Sequence, residues 1–144
     1  MFAGHVALIV AALFTGAAVY VSVAEQPARL ALDDRALLAQ WKPAYKRGFA
    51  MQAPLALIGF GLGILAWWTT GRSAFVVGAI LLLANWPWTI FGIMPTNRVL
   101  AETAPADAGP QTRALIVKWN RLHSVRTALG CAAVLAFLVA LSSK

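Results

Sequence analysis

The sequence predicts an all-α fold, a four-helix transmembrane bundle, from three observations. First, three stretches carry no Asp, Glu, Lys or Arg: Met1 to Ala24, Gly48 to Gly71 and Ser73 to Asn97. Each is long enough to cross a bilayer, which takes about 20 apolar residues. Second, a fourth apolar stretch, Thr127 to Ser143, is short on its own. It reaches spanning length only by extending back through Trp119, Leu122, His123 and Arg126. Third, the 144 residues are 60% hydrophobic and 12% charged, with mean hydropathy +0.73. A soluble domain of this size could not hide that much apolar surface. Lipid offers no hydrogen-bond partners to a backbone, so the spans must be helices.

The elements are expected at about residues 2–23, 44–68, 75–94 and 112–141, within a single domain. In the first, Gly4, Gly16, Ala17 and Ala18 let a neighbour approach closely, and Glu25-Gln26-Pro27 should end it. The stretch lacks a basic leading segment and is too long for a typical signal core, so it is expected to be a retained helix. Leu30 to Gln40 has the pattern of a short amphipathic helix, with Asp33 and Asp34 suited to its positive end. Trp41-Lys42-Pro43 should turn into the second span, which Pro54 should kink. Thr69 to Ser73 is so short that the second and third spans must form an antiparallel hairpin. The third should stop at Met94-Pro95-Thr96-Asn97. A loop over Ala101 to Gln111 then leads into the fourth.

The net charge is +7, and its placement matters more than its size. Arg29, Arg35, Lys42, Lys46 and Arg47 lie between the first and second spans; Arg98, Arg113, Lys118 and Arg121 lie between the third and fourth. The positive-inside rule puts both of these connections in the cytoplasm and both termini outside, in an integral protein of a bacterial inner membrane. Topology and anionic lipid explain the basic residues better than nucleic acid does. The single cysteine, Cys131, excludes two-thiol redox chemistry within one chain.

Glycine-rich nucleotide loops, phosphate loops and nucleophile elbows are all missing from the sequence. The two histidines, His5 and His123, fall at opposite ends of the spans, roughly 20–25 Å apart across the hydrocarbon. Haem ligation by both within one chain is thereby excluded. A metal held by His123 and Glu25 starts with few ligands; no metal and no cofactor are expected.

Topology brings one distinctive set of residues to the cytoplasmic level from all four helices: Glu25, Tyr45, Gln52, Asn97, Trp119, His123 and Arg126. Ionisable residues at a membrane span are functional candidates by default. His123 is either a general base or an interfacial histidine bonded to a carbonyl or to Glu25. Arg126 either holds an oxyanion or snorkels and pairs with Glu25. Glu25 orients His123 or pairs with Arg126. Tyr45 can donate to a substrate oxygen. Gln52 and Asn85 suit interhelical glue, Asn97 a helix terminator or a ligand group. Trp41, Trp86, Trp88 and Trp119 suit either a flat aromatic pocket or the membrane belt.

Four runs carry a family resemblance: Val21-Ser22-Val23-Ala24-Glu25-Gln26-Pro27-Ala28-Arg29; Trp41-Lys42-Pro43-Ala44-Tyr45 with Met51-Gln52; Pro87-Trp88-Thr89 with Met94-Pro95-Thr96-Asn97-Arg98-Val99-Leu100; and Trp119-Asn120-Arg121-Leu122-His123-Ser124-Val125-Arg126. In that order they resemble the anthrone oxygenase-like membrane family over nearly the whole chain. The resemblance implies oxidation of a flat, hydrophobic phenolic or quinonoid molecule by molecular oxygen without a cofactor. It implies His123 and Arg126 as the catalytic pair, with Glu25, Trp41, Tyr45, Gln52, Asn97 and Trp119 around the substrate. The partners would be that substrate, oxygen and the bilayer; a homo-oligomer is left open. The alternative is a non-enzymatic membrane protein that binds a lipid or quinone, or serves as an assembly partner.

Overall fold

A computed structural model describes residues 1–143. Four long helices make up almost all of it: α1 Phe2–Leu30, α2 Asp34–Thr70, α3 Ala74–Glu102 and α4 Pro110–Ser142. All four are long and apolar enough to cross a membrane. No strand occurs among the described residues. Packing runs in a ring: α1 against α2 and α4, and α3 against α2 and α4. Large apolar side chains project outward, among them Phe2 (83% exposed), Trp68 (80%) and Phe91 (80%).

Local chemistry sets the turns. At the start of α2 the Asp33 carboxylate accepts from the Ala36 N–H at 2.9 Å, satisfying one of the unpaired donors of the first turn. At its end Gly71 takes φ +71°, a left-handed conformation that glycine adopts without strain. The chain then reverses at once into α3, giving the expected hairpin.

The helices run further than the sequence suggested, and prolines are the reason for the difference. Leu30 to Gln40 is not a separate surface helix; most of it is the first part of α2, which continues through Pro43 and Pro54. An interior proline costs about 3 kcal/mol. Complete burial of Leu37, Leu38 and Trp41 against Ile93, Leu100, Ile116 and Trp119 opposes that cost. Pro27 and Pro95 do not terminate α1 and α3 either. Each follows a widened π turn, Val21–Glu25 in α1 and Trp88–Ile93 in α3. A proline ring collides with the carbonyl four residues back, here Val23 and Phe91. The extra residue in each wide turn moves that carbonyl aside, and the Gln26 and Met94 N–H groups bond five residues back, to Val21 and Thr89.

Two apolar clusters fill the bundle. Towards the end that carries the termini, Phe14, Phe75, Leu82 and Phe137 pack among Ala7, Ala11, Ala56, Ala66, Ala133 and Ala140. Towards the α1–α2 and α3–α4 connections lies the cluster of Leu37, Leu38, Trp41, Ile93, Leu100, Ile116 and Trp119. Side chains fasten this second half across helices. Trp88 Nε1 donates to the Leu122 carbonyl at 2.9 Å, and Gln26 Nε2 to the Ile116 carbonyl at 3.2 Å. The candidate site lies beside this cluster, next to the wide turn of α1.

Candidate functional site

A helix repeats its face every three or four residues, so Trp119, His123, Arg126 and Gly130 stand in a row on α4. All four are buried. Gly130 belongs to the row because α1 presses on it: a Cβ there would lie 2.6 Å from Thr15 Oγ1. This close approach holds α1 against the α4 row.

The His123 ring stacks on Trp119, with centroids 4.9 Å apart and planes 25° apart, and its Nδ1 faces Ser22 Oγ at 3.4 Å. The stack fixes the imidazole plane, and among the described residues none hydrogen-bonds its Nε2. Arg126 Nη2 donates to Gln52 Oε1 at 3.1 Å, and its guanidinium carbon lies 5.4 Å from the centre of the Phe14 ring. Arg126 Nε is buried with no hydrogen-bond partner. Tyr45 stacks flat on Trp41 at 4.9 Å, and Trp41 meets Trp119 edge-on at 5.9 Å.

Glu25 does not pair with His123 or Arg126. Its carboxylate takes Arg29, one helical turn on, and accepts from Gln40 Nε2 at 3.2 Å. The physical reason is the continuation of α1 past Pro27, which keeps Arg29 at the (i, i+4) position where a cation meets a carboxylate. Arg29 is 3% exposed, lies 5.9 Å from the Trp119 ring, and leaves Nε and Nη1 without partners. Of the two buried guanidiniums, Arg29 has the Glu25 carboxylate and Arg126 has the neutral Gln52 amide. A buried cation without a full set of partners is costly, and such a place favours a ligand bearing negative charge or developing it.

These groups meet at a cavity. Glu25, Tyr45, Gln52, Trp119, His123 and Arg126 all line it, together with Val21, Arg29, Gly48 and Phe49. Its volume is about 30 Å³, room for one or two waters. A second cavity of about 100 Å³ adjoins it and shares Arg126 and Phe49. Ala53, Ala56, Asn85, Trp86, Thr89, Ile90 and Met94 form the rest of its wall, which is almost wholly apolar. The site is thus a polar chamber beside an apolar one, with Arg126 reaching both.

Of the residues singled out from sequence for the site, Trp41, Trp88 and Asn97 line neither chamber. Trp41 is fully buried behind Tyr45. Asn97 lies inside the last part of α3 rather than at its end, near Tyr45, with both amide atoms unpartnered. Asn85 is not interhelical glue, because its Nδ2 bonds back to Leu81 and Leu82 of its own helix. Sequence reasoning missed Arg29, Phe49 and Ser22. The (i, i+4) spacing of Glu25 and Arg29 was a usable signal for the first, and the repeat Tyr45, Phe49, Gln52 for the second. Among the described residues no three His, Cys, Asp or Glu side chains converge as a metal site would require.

The family model described as Anthrone oxygenase matches residues 41–136, a segment that holds Tyr45, Gln52, Trp119, His123 and Arg126. The chain belongs to the anthrone oxygenase family. An anthrone oxygenase of Claviceps purpurea (strain 20.1) is 30% identical, over 96% of this chain and 88% of its own length. The anthrone oxygenase tpcL of Aspergillus fumigatus is also 30% identical, over 84% of this chain and 81% of its own. The anthrone oxygenase ptaC of Pestalotiopsis fici is 31% identical over 63% of this chain and 74% of its own. No solved structure matches the chain. The matched segment holds every residue lining the apolar chamber, and all those lining the polar one except Val21, Glu25 and Arg29.

Proposed function

We propose that this protein is a membrane-embedded oxygenase that converts an anthrone-like phenol to a quinone with molecular oxygen and no cofactor, using His123 as base and Arg126 as oxyanion holder. The observation that carries this reading is the pairing of an imidazole with an unpartnered guanidinium N–H in a chamber that adjoins an apolar one. Membership in the anthrone oxygenase family supports it. The apolar exterior of four spanning-length helices supports the bilayer as its surroundings.

In this mechanism the reacting edge of the ring system enters the polar chamber. The imidazole takes a proton from the ring CH₂ group, and the electron pair moves onto the carbonyl oxygen. Arg126 Nε, which has no other acceptor, holds the resulting enolate, and Tyr45 donates to the same oxygen. Such positioned donors strengthen as charge develops, which is where rate is gained. The enolate passes an electron to oxygen, and the two radicals join to form a C–O bond. The proton held by His123 completes the hydroperoxide. Loss of the second C–H proton and cleavage of the O–O bond release one water and leave the quinone carbonyl. One oxygen molecule is consumed per quinone formed.

The test uses purified protein and a hydroxylated anthrone, following quinone absorbance and oxygen uptake together. His123→Ala is expected to lower kcat by about 10²–10⁴, and Arg126→Ala by about 10²–10³, with thermal unfolding close to wild type for His123→Ala. Wild-type rates in both variants would remove these catalytic roles. A wild-type protein that binds anthraquinones yet turns over no anthrone would favour the binding protein instead.

A further inference from the structure

We infer that the apolar chamber is a second substrate subsite, in which Asn85 Oδ1 accepts a hydrogen bond from a hydroxyl on an outer ring of the substrate. The inference rests on the anthrone reading above and specifies which anthrones the site takes.

Asn85 is 2% exposed. Its Nδ2 donates to the carbonyls of Leu81 and Leu82, at 3.1 Å each. Those two bonds set the orientation of the amide, because the opposite orientation would face oxygen against oxygen. Oδ1 is left as the free end of the amide, buried and with no hydrogen-bond partner. A buried acceptor without a donor is unfavourable, and such atoms are rare unless something else satisfies them. The surroundings are the second observation. Apart from Arg126 and Thr89, the side chains around Asn85 in the chamber are hydrocarbon and aromatic: Phe49, Ala53, Ala56, Trp86, Ile90 and Met94.

Size and polarity then select the occupant. The chamber holds about 100 Å³, somewhat less than the ~150 Å³ apolar cavity that takes up benzene. One aromatic ring is the natural scale, given small side-chain adjustments. Phe49 is shared by both chambers and half-buried. Rotation of its ring would join them and admit a fused ring system along their common axis. Such a molecule meets an acceptor at Asn85 and a donor at Arg126 Nε. The complementary ligand carries a hydroxyl on an outer ring and an oxygen that becomes anionic near the reacting carbon. The outer hydroxyl must be free of any internal hydrogen bond to the ketone.

The test separates this inference from the reaction itself. Quenching of tryptophan fluorescence is titrated with 2-hydroxyanthraquinone and with unsubstituted anthraquinone, at mildly acidic pH so that the hydroxyl stays protonated. Wild type is expected to bind the hydroxylated compound about 10-fold more tightly or better. Asn85→Leu should abolish that preference by weakening the hydroxylated ligand alone. Equal affinities in wild type, or a preference that survives in Asn85→Leu, would overturn the subsite. Equal affinities in wild type overturn the subsite even if the variant misfolds. Because both probes are already oxidised, the result does not depend on turnover.

Discussion

The two halves of this bundle are packed in opposite ways. Towards the termini, phenylalanines press directly on glycines: a Cβ on Gly78 would lie 2.5 Å from the Phe137 ring, and one on Gly63 within 3.0 Å of it. The buried side chains of that cluster are all apolar. Towards the connections, tryptophans replace phenylalanines, both helical wide turns occur, and two cavities remain open. Among the described residues, buried side-chain polar atoms without partners include Arg29 Nε, Trp119 Nε1, Asn97 Oδ1 and Arg126 Nε in that second half. The contrast teaches that one half supplies rigidity, while the other keeps unpaired donors and space that a well-packed core would have eliminated.

The division can be broken most severely at Gly78. Gly78→Leu is expected to prevent folding altogether, seen as loss of a monodisperse peak in detergent, because no rearrangement short of moving Phe137 makes room. A well-folded Gly78→Leu protein would show that the tight half is less rigid than its geometry implies. Phe137→Ala comes next. It should cost about 3–5 kcal/mol of stability, measured by denaturant unfolding in micelles, while kcat per folded molecule stays near wild type. A parallel fall in kcat would mean the two halves are coupled. The smallest effect sharpens the other side. Gly48 borders the polar chamber, and a Cβ there meets nothing within 4 Å. Gly48→Ala should therefore stabilise the helix, by up to about 1 kcal/mol; destabilisation would reveal a hidden constraint at the chamber wall.

Much of the architecture could be read from composition alone. Charge-free stretches of spanning length and the tight Thr69–Ser73 reversal correspond to the helices and hairpin observed. The row Trp119, His123, Arg126 and Gly130 followed from helical spacing, and its burial is found as a single face of α4. Helix ends were the weak point. Pro27, Pro43 and Pro95 look like stop signals, but tertiary packing and wide turns carry the chain past them. Partner choice was equally hidden. Glu25 had two partners to choose from across the bundle, His123 and Arg126, and only the continuation of α1 brings Arg29 to it instead. The orientation of the Asn85 amide depends on two backbone carbonyls of its own helix, a competition that spacing cannot resolve.

A turn that bonds five residues back instead of four is a helix carrying one surplus residue. At ~100° per residue, that surplus sets the rotation of everything beyond it. Deleting one position within Trp88–Ile93 would let α3 close into a regular spiral and swing Asn97 and Leu100 about a quarter of the way around its axis. The same deletion within Val21–Glu25 would carry Arg29 away from Trp119. Loss of a single codon in either segment would therefore re-aim side chains well beyond the position removed.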